Sequence, residues 1–106
     1  MSNIEELSNL MVELLDSNVT ATPEQLTVTD RGREIINEIA DYAEKTRIFQ
    51  EEKGRGEWLN GKTAGKIYGH MLERVVHAPT TIHMNMSVLL IMPFLRQKLQ
   101  EGDHGN

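Results

Sequence analysis

Apolar residues recur at steps of three and four residues in four segments of the chain, beginning with Ile4, Leu7 and Met11. This spacing places side chains on one face of an α-helix. We therefore predict an all-α fold, a small four-helix bundle with helices at residues 3–16, 30–52, 64–77 and 81–100. The last helix contains Pro93, which lacks an N–H and obstructs a carbonyl one turn earlier, so we expect a kink there.

Local signals support the ends of these helices. Ser2 and Glu5 have the spacing of a capping box, and Thr63 is suited to cap the third helix. Gly54 suits the left-handed position after the second helix. We expect one helical domain over residues 1–100 and a flexible tail over 101–106.

Two segments have competing interpretations. Residues 17–29 are rich in Ser, Thr and Asn, and they favour either one helical turn after Thr22 or a short extended piece at 26–29. In residues 82–88 apolar and polar positions alternate, which is typical of a strand. We favour helix there because the segment is long and the sequence shows no partner strand. No internal repeat is evident.

The stripes also predict which side chains fill the core. The predicted buried residues are Leu7, Met11, Leu14, Ile35, Ile39, Tyr42, Phe49, Ile67, Met71, Val75, Met86, Leu89 and Leu90.

Composition narrows the possible functions. The 106 residues carry a formal net charge of −5, which argues against binding to nucleic acid or an anionic membrane by the chain as a whole. The chain has no cysteine, which excludes disulfides and thiol catalysis. No basic segment precedes an apolar one at the N-terminus, and the longest apolar run, 88–95, is too short to span a bilayer. We expect a cytoplasmic protein without a membrane segment.

Basic residues are concentrated in the middle of the chain, whereas residues 1–30 contain no Lys or Arg. Residues 56–63, GEWLNGKT, match the P-loop pattern, but the charged segment before them does not look like the buried strand that a P-loop needs. A helix start with basic neighbours can still hold an anion. The candidate residues for binding a partner or an anion are Arg55, Lys62, Thr63, Lys66 and Arg74.

Two short stretches resemble known families. Residues 28–36, VTDRGREII, resemble the segment after the wing in winged-helix regulators of the MarR and PadR kind, which implies a DNA-binding regulator. A second set resembles the end of the helical domain of phage anti-CBASS sponges, and its members are Lys62, Thr63, Leu72, Arg74, Val76 and Pro79. That resemblance implies a helical oligomer that binds an anionic small molecule such as a nucleotide or cyclic oligonucleotide.

The candidates for catalysis and metal binding are few. His70, Glu73 and His77 share one helical face, but this face lies opposite the apolar stripe and is typical of a solvated surface. Serines are scarce, and none lies in a nucleophile motif. We therefore expect no enzyme, no cofactor and no metal site.

The apolar run at 88–95 predicts self-association. A helix without a polar face must be covered on all sides, and the other predicted helices each have a wide charged face. We expect a homo-oligomer, most simply a dimer, with Met86, Leu89, Leu90 and Phe94 at the interface. The favoured function is that of a small acidic interaction protein, an adaptor, inhibitor or regulator that binds a partner protein. The anion-binding oligomer and the DNA-binding regulator are the alternatives.

Overall fold

Five α-helices and two antiparallel hairpins make up the fold in the computed structural model, which describes residues 3–22, 25–78 and 81–101. The helices are α1 (Ile4–Ser17), α2 (Asp30–Glu44), α3 (Arg47–Glu52), α4 (Ala64–Arg74) and α5 (Met86–Gln100). The strands are β1 (Val19–Ala21), β2 (Leu26–Val28), β3 (Val76–Ala78) and β4 (Thr81–His83), and a 3-10 segment spans Lys53–Gly61. The prediction of a mostly helical protein is confirmed, but a pure four-helix bundle is not what forms.

The first helix matches the prediction to within a residue at each end. Its cap is Asn3, whose Oδ1 accepts the Glu6 N–H at 3.0 Å. The predicted capping box involves Ser2, which lies outside the described residues. After α1 the extended interpretation of 26–29 is the correct one, because β2 pairs with β1 in the register Val19↔Val28.

The predicted helix at 30–52 is wrong in its middle, where α2 ends and α3 begins. Thr46 causes the break: its hydroxyl donates to the Ala43 carbonyl at 2.7 Å and accepts the Phe49 N–H at 3.1 Å. A threonine side chain that bonds to nearby backbone groups offers the chain an alternative to continuing the helix. The new helix direction buries Phe49.

The third and fourth predicted helices are also corrected where they approach each other. The helix predicted at 64–77 ends at Arg74, and the helix predicted at 81–100 begins only at Met86. Between them β3 and β4 form a hairpin in the register Val76↔His83. The strand interpretation of residues 82–88 is therefore right as far as His83. Asn85 joins the two elements, because it caps α5 and its Nδ2 donates to the Arg74 carbonyl at 2.7 Å.

The order helix, hairpin, helix occurs twice along the chain, as α1-β1-β2-α2 and as α4-β3-β4-α5. The helices α2 and α5 also share a burial pattern. In each of them the residues three, six, seven, ten and fourteen positions after the capping residue, which is Thr29 or Asn85, are buried. Each unit packs against the other: α1 contacts β4, α4 contacts β2, and α2 contacts α5. The chain thus contains a structural repeat that we did not detect in its sequence.

One cluster of buried apolar side chains joins these elements. Nine of the predicted core residues are buried, and Tyr42, Val75, Met86 and Leu90 are partly buried. The prediction missed many others, which are Leu26, Ile36, Ala40, Ala43, Leu59, Ala64, Tyr68, Ile82, Val88, Ile91, Met92, Leu95 and Leu99. Most of the missed residues lie on α2 and α5, because each of these helices contacts several other elements and so is buried over more than one stripe.

Candidate functional site

Trp58 is the most exposed aromatic group on the described surface, with 48% of the residue accessible. The 3-10 segment positions it, because the adjacent Leu59 is buried in the core and leaves the indole outside. The indole contacts the His70 imidazole edge to face, with ring centroids 4.8 Å apart and planes at 80°. His70 Nδ1 lies 3.4 Å from a Glu73 carboxylate oxygen. The imidazole thus restrains the indole, although about half of the Trp58 residue remains accessible to solvent.

Beside His70, the outer side of α4 forms the wall of a cavity of about 470 Å³. The opposite wall is the end of β1 and Thr22, and the backbone there approaches Gly65 so closely that a Cβ atom would lie 2.1 Å from the Thr22 oxygen. Leu72, which is 40% exposed, lies at the rim. Burial raises the pKa of Tyr68 in this wall to about 12, because the apolar surroundings disfavour the charged phenolate.

The ring contact and the cavity together define one continuous surface, which we name the Trp58 face. Its members are Trp58, Lys66, Gly69, His70, Leu72 and Glu73. In the sequence Trp58 lies within the P-loop-like string at residues 56–63, and it is not among the predicted site residues. The signal that could have identified it is a lone tryptophan in a glycine-rich polar segment, since a buried tryptophan usually belongs to an apolar stripe.

The structure divides the five residues of the predicted anion site. Arg55 and Arg74 line one cavity of about 130 Å³, together with Trp58. Lys66 instead lines the cavity of the Trp58 face. Thr63 caps α4 by accepting the Lys66 N–H at 3.2 Å, as predicted, and Lys62 is half-buried just before it.

We name the smaller cavity the arginine cavity. Its lining residues are Arg55, Gly56, Trp58, Leu59, Arg74, Ser87, Leu90 and Ile91. Arg55 is exposed and its Nε lies 2.8 Å from a Glu52 carboxylate oxygen. Arg74 is half-buried and its Nη1 donates to the His70 carbonyl at 2.7 Å. Two arginines therefore line one cavity where α4 ends and α5 begins.

The P-loop-like string at residues 56–63 does not have the setting of a P-loop. The 3-10 segment contains most of this string and α3 precedes that segment, whereas a P-loop follows a buried strand of a parallel sheet. One feature agrees with the winged-helix resemblance, since a hairpin precedes α2 as a wing would. The helix before that hairpin, α1, contains no Lys or Arg with which to contact DNA phosphates.

The predicted self-association segment is largely covered by the chain itself. Leu89 is 3% exposed, while Met86, Leu90 and Phe94 are half-buried. Phe94 packs against Phe49, with ring centroids 6.4 Å apart. Because α2, α4 and the 3-10 segment already surround α5, the apolar run does not require a second subunit to cover it. Self-association stays a prediction.

A cavity of about 510 Å³ lies on the other side of Phe94, between α3, the 3-10 segment and α5. Its most buried cation, Arg96, already donates to the carboxylates of Asp41 and Glu44. Lys98 nearby donates to the Asn60 carbonyl at 3.0 Å. Arg96 and Lys98 thus make contacts within the chain.

Across residues 3–22, 25–78 and 81–101, no group of His, Asp or Glu side chains is arranged to hold a metal ion. In the predicted polar stripe the structure brings His70 and Glu73 together, and the side chain of His77 lies outside the described residues. None of the described helices has the length and apolarity needed to cross a bilayer.

Comparison of this chain with protein-family models, with curated proteins and with solved structures finds no match. The geometry of the chain itself is therefore the basis for a functional proposal.

Proposed function

We propose that this protein is a small helical interaction module that binds a partner protein through the Trp58 face. The observation that carries the proposal is Trp58, a residue that is 48% exposed although its indole contacts the His70 ring. Tryptophan is the residue type most enriched among those that dominate binding energy at protein interfaces. As an adaptor, inhibitor or regulator, the protein acts by occupying a surface of its partner.

Trp58 is not a member of the buried apolar cluster that forms the core. Its exposed ring area therefore gives the fold little stability, and covering that area would release water from a large apolar surface. The His70 contact restricts the indole before any partner arrives, which reduces the entropy lost on binding. Leu72 and the open backbone at Gly69, which has no neighbour within 4 Å of a Cβ position, extend the contact area next to the ring.

A photo-crosslinking amino acid at position 72, which lies on the Trp58 face and leaves the indole intact, identifies the partner in cells, with the same group at position 48 as control. Ile48 is a suitable control because it is 45% exposed and lies on α3. The purified partner is then titrated with the wild type, Trp58→Ala and Ile48→Ala. We expect Trp58→Ala to weaken binding by about 30-fold, as for an interface residue worth about 2 kcal/mol, and Ile48→Ala to change it little.

Circular dichroism of both variants checks that the fold is retained. A partner that is captured at position 72 but binds Trp58→Ala with an unchanged Kd would refute the proposed face.

Self-association is a separate part of the proposal, through Met86, Leu90 and Phe94, which remain partly exposed on α5. Sedimentation equilibrium distinguishes a dimer from the 12.1 kDa monomer. In a dimer, Leu90→Asp should return the protein to the monomer. A wild-type monomer at all micromolar concentrations would remove this part and leave the Trp58 face untouched.

A further inference from the structure

We propose that the arginine cavity receives a carboxylate side chain of the partner, so that the recognised segment carries an acidic residue next to an apolar one. The inference rests on the proposed function, since Trp58 lines this cavity and also belongs to the Trp58 face. The two surfaces meet at one indole. A segment that covers the ring with an apolar side chain therefore brings its neighbouring side chain to Arg55 and Arg74.

The charge of the lining residues favours an acidic occupant of the arginine cavity. Among the described residues that line the arginine cavity there is no Asp or Glu, although the chain as a whole has 16 acidic residues and a net charge of −5. An acidic segment is repelled by much of this surface and attracted at the arginine cavity. Guanidinium groups bind carboxylates through paired N–H donors, which adds geometric selectivity to the charge.

The arginines differ in how firmly they are held. The hydrogen bond from Arg74 Nη1 to the His70 carbonyl restrains that guanidinium and leaves further N–H donors for a ligand. Arg55 is exposed and paired with Glu52, and an ion pair this close to solvent is weak enough to be exchanged. Glu52 thus shows that a carboxylate reaches Arg55, and it competes with the partner for it.

The size of the cavity limits the ligand. About 130 Å³ accommodates one anionic group, and it is too small for a nucleotide. Ser87, in the first turn of α5, adds a hydroxyl donor to the lining.

The test uses the full chain and short blocked peptides with the sequence Leu-Glu-Leu, compared with Leu-Gln-Leu. Binding is followed by the fluorescence of Trp58, the single tryptophan, and by the NMR signals of the arginine Nε–H groups. We expect the Glu peptide to bind about tenfold more tightly than the Gln peptide, as for one charge-assisted hydrogen-bonded contact. We expect Arg55→Gln to abolish this preference.

Matched variants separate the local effect from net charge. Arg47 is paired with Glu51 at 2.9 Å on α3, just as Arg55 is paired with Glu52, so Arg47→Gln should leave the preference intact. Removing the internal competitor by Glu52→Gln should strengthen binding of the Glu peptide, and Glu51→Gln, with the same change in charge, should not. Arg74→Lys keeps a positive charge but loses the planar donor fork, and it should weaken the preference without unfolding the chain.

Equal binding of the Glu and Gln peptides would overturn the inference, as would a preference that survives Arg55→Gln. The inference would also be overturned if inorganic phosphate displaced the Glu peptide at phosphate concentrations far below the Kd of the peptide, because that result would indicate a site for small anions. With the identified partner, loss of binding in Trp58→Ala but not in Arg55→Gln would leave the proposed function standing and remove this inference alone. Unchanged binding in Trp58→Ala would refute the proposed function itself.

Discussion

Replacing Gly65 by alanine tests the contact that fixes the first hairpin on α4. A Cβ atom at Gly65 would lie 2.1 Å from the Thr22 oxygen and 3.2 Å from both the N and the O of Gln25. These are backbone atoms, and they are held in place because the Thr22 N–H donates to the Gln25 carbonyl at 2.8 Å. The hairpin must therefore move away from α4 by about an ångström or more to restore an ordinary van der Waals separation.

The expected cost follows from two opposing effects. Alanine is a better helix former than glycine by up to about 1 kcal/mol, and the gain is smaller in the first turn, where residue 65 lies. Inserting a methyl group into a filled space costs about 1–3 kcal/mol. The displacement would also loosen the adjacent Leu26, which is fully buried. We expect Gly65→Ala to lower the free energy of unfolding by about 1–2 kcal/mol.

Gly69 provides the matched control on the same helix. It has no neighbour within 4 Å of a Cβ position, so Gly69→Ala should gain helix propensity without a clash and raise stability by about 0.5–1 kcal/mol. Urea and thermal unfolding followed by circular dichroism measure both variants, with a shift in Tm of about 4–8 °C per kcal/mol for a domain of about this size. If Gly65→Ala is as stable as the wild type, the close approach of Thr22 to α4 is wrong.

Other substitutions test the remaining contacts. Thr46→Ala removes the cap of α3 and should cost about 1 kcal/mol in urea unfolding, whereas an unchanged midpoint would mean that the break between α2 and α3 does not depend on this side chain. Leu89→Ala should cost about 2–5 kcal/mol because the residue is buried, and a loss under about 0.5 kcal/mol would contradict its place in the core. Hydrogen bonds from Arg31 lower the pKa of the Glu13 carboxyl below 4.5. The Glu13–Arg31 pair therefore stabilises the fold above pH 4.5, and this contribution is lost as the pH falls below that value. Glu13→Gln should therefore lose less stability than the wild type on acidification, and equal losses would refute the link. Burial raises the pKa of Tyr68 from 10.0 to about 12, so stability should fall as the pH rises from 10 towards 12, and a Tyr68→Phe variant with the same alkaline loss would refute that cause.

How far the sequence predicts this fold depends on whether a signal is local. The stripe of Leu7, Met11 and Leu14 identified α1, and Thr63 identified the start of α4, because helix spacing and caps act within a few residues. Thr46 shows the limit of local signals. It lies between Tyr42 and Phe49 on the predicted helix face, where the spacing continues past it. The structure shows that its hydroxyl bonds to the Ala43 carbonyl and that Phe49 is buried after the break.

The second hairpin shows what the sequence left undecided. Residues 82–88 carry patterns for both a helix and a strand, and the outcome depends on whether a partner strand is present at the right place. Val76 provides it, opposite His83, and α1 packs against β4 from the other unit. A contact between α1 and β4 joins parts of the chain that lie far apart in sequence, so no local pattern reports it.

The same distinction between local signals and tertiary contacts applies to the candidate sites. The sequence determined that basic residues cluster in the middle of the chain and that Thr63 caps a helix there. Only the tertiary structure decided that Arg55 and Arg74 share a cavity while Lys66 faces another one. It also decided that Trp58 stays outside the core, because Leu59 takes the buried position beside it. Residue types and short spacings fix what a segment can do locally, whereas exposure and proximity are set by which helices pack around it.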